Sequence, residues 1–220
     1  MRKWLRNNGL SIAMFLLFAV SLVGQVFAGH RVHNEDQRDH SQPAVALSEY
    51  LRSGHFVEAV FENWESEFLQ MAAFVFLTAW LYQKGSPESR KLEGEPDLDK
   101  HPTKSKKKNS PWPVHRGGLL LKLYSHSLSI ALFLLFAISF VLHAAGGARE
   151  YTQEQLEHGT GGPVGTLSYM GTSRFWFESF QNWQSEFLSV GALIVLSIFL
   201  RERGSPESKP VDAPHSETGE

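Results

Sequence analysis

Four apolar runs divide the chain, and they come as two pairs. Leu10 to Ala28 holds 19 residues without a charge, about 28 Å of helix and close to the hydrocarbon thickness of a bilayer. Leu128 to Ser139 repeats Leu10 to Ser21 at ten of twelve positions. The second member of each pair opens on a shared motif, Asn63-Trp64-Glu65-Ser66-Glu67-Phe68-Leu69 and Asn182-Trp183-Gln184-Ser185-Glu186-Phe187-Leu188. Both end in Gly-Ser-Pro-Glu-Ser, at 85–89 and 204–208, where Gly stops a helix and Pro prevents its resumption.

This pattern predicts an all-α membrane protein with four transmembrane helices, arranged as two parallel two-helix repeats. Repeat 1 occupies residues 1–89 with spans at about 10–28 and 64–82, and repeat 2 residues 124–208 with spans at about 128–145 and 183–200. Ahead of each motif, Phe56, Val57, Val60 and Phe61, and then Phe175 to Trp183, have the spacing of amphipathic interfacial lead-in helices. The polar stretches from Gly29 to about Ser53 and from Gly146 to Thr172 are expected to be loops. Residues 90–123, rich in Lys, Pro and Ser, are expected to form a flexible basic cytoplasmic linker, and 209–220 a disordered tail.

The rival for the first span is a secretory signal peptide ending at Val26-Phe27-Ala28. The internal copy at Leu128 to Ser139 favours a retained helix, since a mid-chain copy cannot be a signal peptide. Lys and Arg number three before the first run and ten in 84–126, against three and two in 29–65 and 147–185. Basic loops stay on the cytoplasmic side, so both termini and the linker are expected there. The expected location is the bacterial cytoplasmic membrane, multi-pass.

Composition adds exclusions. The mean hydropathy of −0.21 is diluted by polar loops, and with no cysteine there is no thiolate chemistry and no disulfide. A net charge of −2 gives no reason to expect nucleic acid. No catalytic motif is present, so the chain is expected not to be an enzyme and to need no cofactor. Its expected partners are the lipid bilayer and a second copy or another membrane protein.

Polar groups that recur in both copies are the candidates for function. Glu67 and Glu186 are either helix-start acids complementing the dipole or a shared ion or proton site. Asn63, Trp64, Ser66, Asn182, Trp183 and Ser185 form the helix-opening motif, with capping and interhelical bonding roles. Asp36, Asp39, His40 and Glu154, Glu157, His158 align at an offset of 118, a ligand spacing compatible with a divalent metal or with a solvated polar face. Gln25 pairs by position with His143, Gln70 with Ser189 and Thr78 with Ser197, all expected to be helix-packing contacts.

The set Asn8-Gly9-Leu10-Ser11, Val23-Gly24-Gln25, His33-Asn34-Glu35-Asp36-Gln37, Ser53-Gly54-His55-Phe56 and Glu62 through Gln70 resembles a bacterial four-span membrane protein family catalogued as a domain of unknown function. The resemblance implies a bacterial membrane location and carries over no activity. Two functions stand: a structural or interaction protein of the envelope, and a small transporter or channel using Glu67 and Glu186.

Overall fold

A computed structural model describes residues 2–90 and 110–217. The regular structure among them is helical: α1 (Arg2–Asn7), α2 (Gly9–Asp39), α3 (Leu47–Tyr50), α4 (Gly54–Thr78), α5 (Trp112–Arg116), α6 (Gly118–Ser125), α7 (Ser127–Glu157), α8 (Thr166–Met170) and α9 (Ser173–Phe199). Among the described residues α2, α7 and α9 are long and apolar enough to cross a membrane. In their most apolar stretches only 0, 17 and 6 % of residues are buried, so these side chains face outward, where lipid rather than a protein core can take them. α4 is not among the three, because Glu58, Glu62, Glu65 and Glu67 crowd its amino-terminal half and it stops at Thr78 rather than Tyr82.

Several expectations change. α2 and α7 do not end with their apolar runs but continue to Asp39 and Glu157, so the first part of each expected loop is helix. The amphipathic lead-ins are not separate elements, since α4 and α9 pass without a break through Trp64 and Trp183. Of the expected linker, 91–109 lies outside the described residues, while its later part forms α5 and begins α6 instead of a flexible chain. The tail expected to be disordered is held through Glu217: Lys209 is buried, and its ammonium donates to the carbonyls of Pro214, His215 and Glu217. A cation with three carbonyl acceptors orders a chain that has little apolar surface of its own.

The chain divides into two compact units, Met1–Phe61 with Val141–Phe175, and Glu62–Phe140 with Trp176–Glu220. In the first, the start of α4 crosses α7 at backbone contact. A Cβ on Gly146 would lie 2.4 Å from the Glu58 nitrogen, and one on Gly54 2.5 Å from the Glu150 nitrogen, so only glycine permits this approach. Gly24 of α2 is different, with nothing within 4 Å of its added Cβ.

Within this unit one set of contacts occurs twice, 118 or 119 residues apart. Tyr50 packs on Gly29 and 5.5 Å from the His33 ring; Tyr169 packs on Gly147 and 5.9 Å from Tyr151. The Val45 N–H donates to Asn34 Oδ1 at 2.7 Å, and the Val164 N–H to Thr152 Oγ1 at 3.0 Å. Ser53 Oγ accepts the Phe56 N–H at the start of α4, and Thr172 Oγ1 the Phe175 N–H at the start of α9. Each hydroxyl thereby satisfies a first-turn donor that has no partner inside its helix.

In the second unit α4 and α9 are joined by polar bonds. Asn182 Nδ2 donates to the Glu62 carboxylate, Trp183 Nε1 to Glu65 Oε1 at 2.9 Å, and Gln70 Nε2 to the Glu186 carbonyl at 2.9 Å and to Ser189 Oγ at 3.2 Å. Glu65 is wholly buried. Trp176, Phe180 and Trp183 form an aromatic cluster with Phe136 and Phe140 of α7. Beyond each helix the Gly-Ser-Pro-Glu-Ser turn folds alike, with left-handed Gly85 (φ 91°) and Gly204 (φ 88°). Ser89 Oγ accepts the Gln83 N–H and Ser208 Oγ the Glu202 N–H, at 2.7 and 2.8 Å.

Candidate functional site

Glu67 and Glu186 stand on α4 and α9 where Gln70 Nε2 donates to the Glu186 carbonyl at 2.9 Å, Glu67 exposed and Glu186 half-buried. They are not the helix-start acids of the dipole reading. α4 opens at Gly54 and α9 at Ser173, which puts each carboxylate more than three turns inside its helix, and the dipole acts within the first turn only. Beside them Gln70 and Ser189, paired by position in the sequence, are paired in space.

The rest of the motif behaves otherwise than its spacing suggested. Ser66 and Ser185 donate to the carbonyls of Asn63 and Asn182 in their own helices, each at 2.8 Å, so they neither cap nor bridge. Asn182 and Trp183 do bridge, and their acceptors are Glu62 and Glu65, which the sequence presented only as the polar face of α4. The signal was available: Gln181 and Gln184 replace these acids in the second copy, so the first copy alone can accept through charge.

The acid–histidine positions lie at the ends of α2 and α7. His40 and His158 are brought together, ring centroids 5.5 Å apart. Of the acids around them Asp36 stays with His40, 3.5 Å from its Nδ1, while Glu154 holds Arg174 through both oxygens and Glu157 accepts from Gln153 at 2.9 Å. Asp39 is exposed at the last residue of α2. Two adjacent imidazoles survive of the metal pattern, while Glu154 is neutralised by a guanidinium.

A polar core in the first unit escaped the sequence reading. His33, Tyr50 and His55 stack with centroids 5.3 to 5.8 Å apart, and burial together with the neighbouring His33 holds the His55 imidazole below its ordinary pKa. Tyr169 donates to Glu58 at 3.0 Å, and His143 is fully buried, its ring 4.9 Å from that of Phe175. Glu150 accepts the His55 backbone N–H in the first turn of α4, an acid supplied in space to a helix start that lacks one in sequence.

In the second unit the two Gly-Ser-Pro-Glu-Ser turns bring Glu88 and Glu207 into a direct side-chain hydrogen bond. Burial, and then this bond and the charge of Glu207, push the Glu88 pKa up to about 7. The other oxygen of Glu88, Oε1, is enclosed and has no hydrogen-bond partner.

A family model described as Domain of unknown function (DUF6766) matches residues 1–220. The chain belongs to this family. No curated protein and no solved structure matches it. Membership in DUF6766 brings no reaction with it, so chemistry must come from the groups described: the Glu88–Glu207 carboxyl pair and the acids Glu67 and Glu186 of the joined helices in the second unit, and a histidine–tyrosine–glutamate core in the first. Paired carboxylates hold a proton or a cation between them because two like charges cannot both ionise freely at close range.

Proposed function

We propose that this DUF6766 protein is a multi-pass protein of the bacterial cytoplasmic membrane that handles protons or small cations at Glu67 and Glu186, as a small transporter or channel. The observation that carries this reading is the placement of both acids more than three turns inside two helices that Gln70 joins at the Glu186 carbonyl. Acids at such depth in apolar helices are costly and persist where an ion pathway uses them. On this reading α4 is a fourth span, with Glu62 and Glu65 turned to α9, and the halves are parallel two-helix repeats. The recurrence of the Tyr50 and Tyr169 contacts, of the helix caps and of the Gly-Ser-Pro-Glu-Ser turns supports the repeat. The protein is not an enzyme, and it acts as an oligomer or beside another membrane protein. The outward apolar faces of α2, α7 and α9 favour that partner-binding role as a second reading.

Purified protein in liposomes carrying an internal pH dye should dissipate an imposed sodium or proton gradient, and the Glu67→Gln, Glu186→Gln double variant should not. Equal leak from both, or from empty liposomes, sinks the ion-handling reading and leaves the scaffold.

A further inference from the structure

The second unit contains a cavity of about 320 Å³ between α4 and α9. Its walls are apolar, built from Ala73, Phe74, Leu77, Val190, Gly191 and Ile194, and it extends from Gln70 to the turn after α4. Among the described residues the only charged side chain lining it is Glu88. A Cβ added at Gly191 would meet nothing within 4 Å, so this glycine leaves the space open instead of closing a helix contact.

An apolar chamber with one acid at its end has a defined chemistry. The bond between Glu88 and Glu207 exists only while one of the two carboxyls keeps its proton, since two carboxylates have no donor between them. The pair therefore carries one negative charge and one exchangeable proton. Glu88 Oε1 is enclosed without a donor, an acceptor with the desolvation cost of burial and no bond to offset it.

We propose that this cavity binds an apolar cation, a small hydrophobic body carrying one positive charge, which seats its charge against the Glu88–Glu207 pair and displaces the proton that the pair shares. The apolar part replaces lipid or water against Phe74, Leu77 and Ile194, and the cation sets its charge near the Glu88 carboxyl, the one charged group among the described lining residues. The released proton passes to water, so charge balances with no other reactant. The charged neighbours are few: Glu207 faces Glu88 from the turn after α9, and Arg90, on the Glu88 turn, lies over the Tyr82 ring at 5.0 Å and bonds its hydroxyl. The elevated pKa of Glu88 fits a proton held until something cationic replaces it. The site is separate from Glu67 and Glu186 and does not rest on them.

The test is calorimetric titration of the full-length protein in neutral detergent with benzyltrimethylammonium and with neopentylbenzene, its neutral carbon isostere, at pH 6 and pH 8.5. The cation should bind about tenfold more tightly at pH 8.5, because the pair then carries two charges in nearly every molecule and in about one in ten at pH 6. Proton release should be seen at pH 6 as a dependence of the heat on buffer ionisation. Glu88→Gln should abolish cation binding and leave that of the isostere, Gly191→Leu should abolish both, and Glu67→Gln should change neither. A cation that binds no better than the isostere, or with no pH dependence, overturns the proposal, as does binding that survives Glu88→Gln. Retained binding in Gly191→Leu overturns the location. Should Glu88→Gln fail to fold, Glu207→Gln, which leaves Glu88 a lone carboxylate beside an amide donor, should keep cation binding and remove most of its pH dependence, and an unchanged pH dependence overturns the proposal.

Discussion

Glu88 and Glu207 stand in a contact that only a proton makes favourable, and this sets a pH dependence at the level of single residues. The folded Glu88 titrates at about 7 against 4.5 for the free side chain. Between those values the folded state holds a proton that the unfolded chain has released, so stability falls as pH rises through that window. Burial and the nearby Glu154 push Glu150 up to about 7 as well, so the thermal midpoint of the detergent-solubilised protein should drop from pH 4.5 to pH 7.5, and Glu88→Gln, which keeps a donor permanently, should remove about half of this slope. An unchanged slope in the variant would assign the effect to other groups. These two acids were visible in the sequence only as part of a helix-stop motif. A turn tells where a helix ends but not which other turn it will face, so their meeting could not be read from spacing. Glu67 and Glu186 were legible as a pair because the motif repeats around them, yet their helical context was misjudged. The lead-in periodicity at Phe56 to Phe61 does not reveal that one helix runs on through the motif, so the three turns that precede each acid are not legible from spacing.

At the scale of elements, the close approach of α4 to α7 depends on missing side chains. Gly146 sits where a Cβ would strike the Glu58 backbone at 2.4 Å, whereas Gly24 is open. Gly146→Ala should destabilise by about 1–3 kcal/mol as one helix is pushed off the other. Gly24→Ala should be neutral or stabilising by up to about 1 kcal/mol through helix propensity. Paired thermal melts check both, and equal shifts would mean that the crossing is not held by this contact. Helix lengths were only partly legible for a related reason. Hydropathy marks the lipid-facing stretch, but α2 and α7 continue past it because Gly29, His33 and Asn34, and likewise Gly147, Tyr151 and Thr152, pack on the tyrosines and hold the Val45 and Val164 segments. A tertiary contact of this sort rewards helix in a sequence that reads as loop.

For the whole molecule the proposed topology follows from charge, with both termini and the basic segment on the cytoplasmic side. The chain has no cysteine, so single cysteines report cleanly. Ser48→Cys and Ser168→Cys should react with an impermeant thiol reagent in intact cells, and Ser105→Cys should react only after permeabilisation. Labelling of Ser105→Cys alone would invert the arrangement.

The bonds from Asn182 and Trp183 end on Glu62 and Glu65, charged acceptors that the first half alone carries at these positions, and on the proposed repeat this has a bearing on ancestry. A single ancestral unit able to pair with itself would meet its partner through the same residues from both sides. Glutamine at 181 and 184 ends that equivalence: one half now brings the charge and the other brings the donors. Once pairing has a direction, two free copies of either half are worse mates than one of each, and tethering them in a single polypeptide fixes the ratio at one to one.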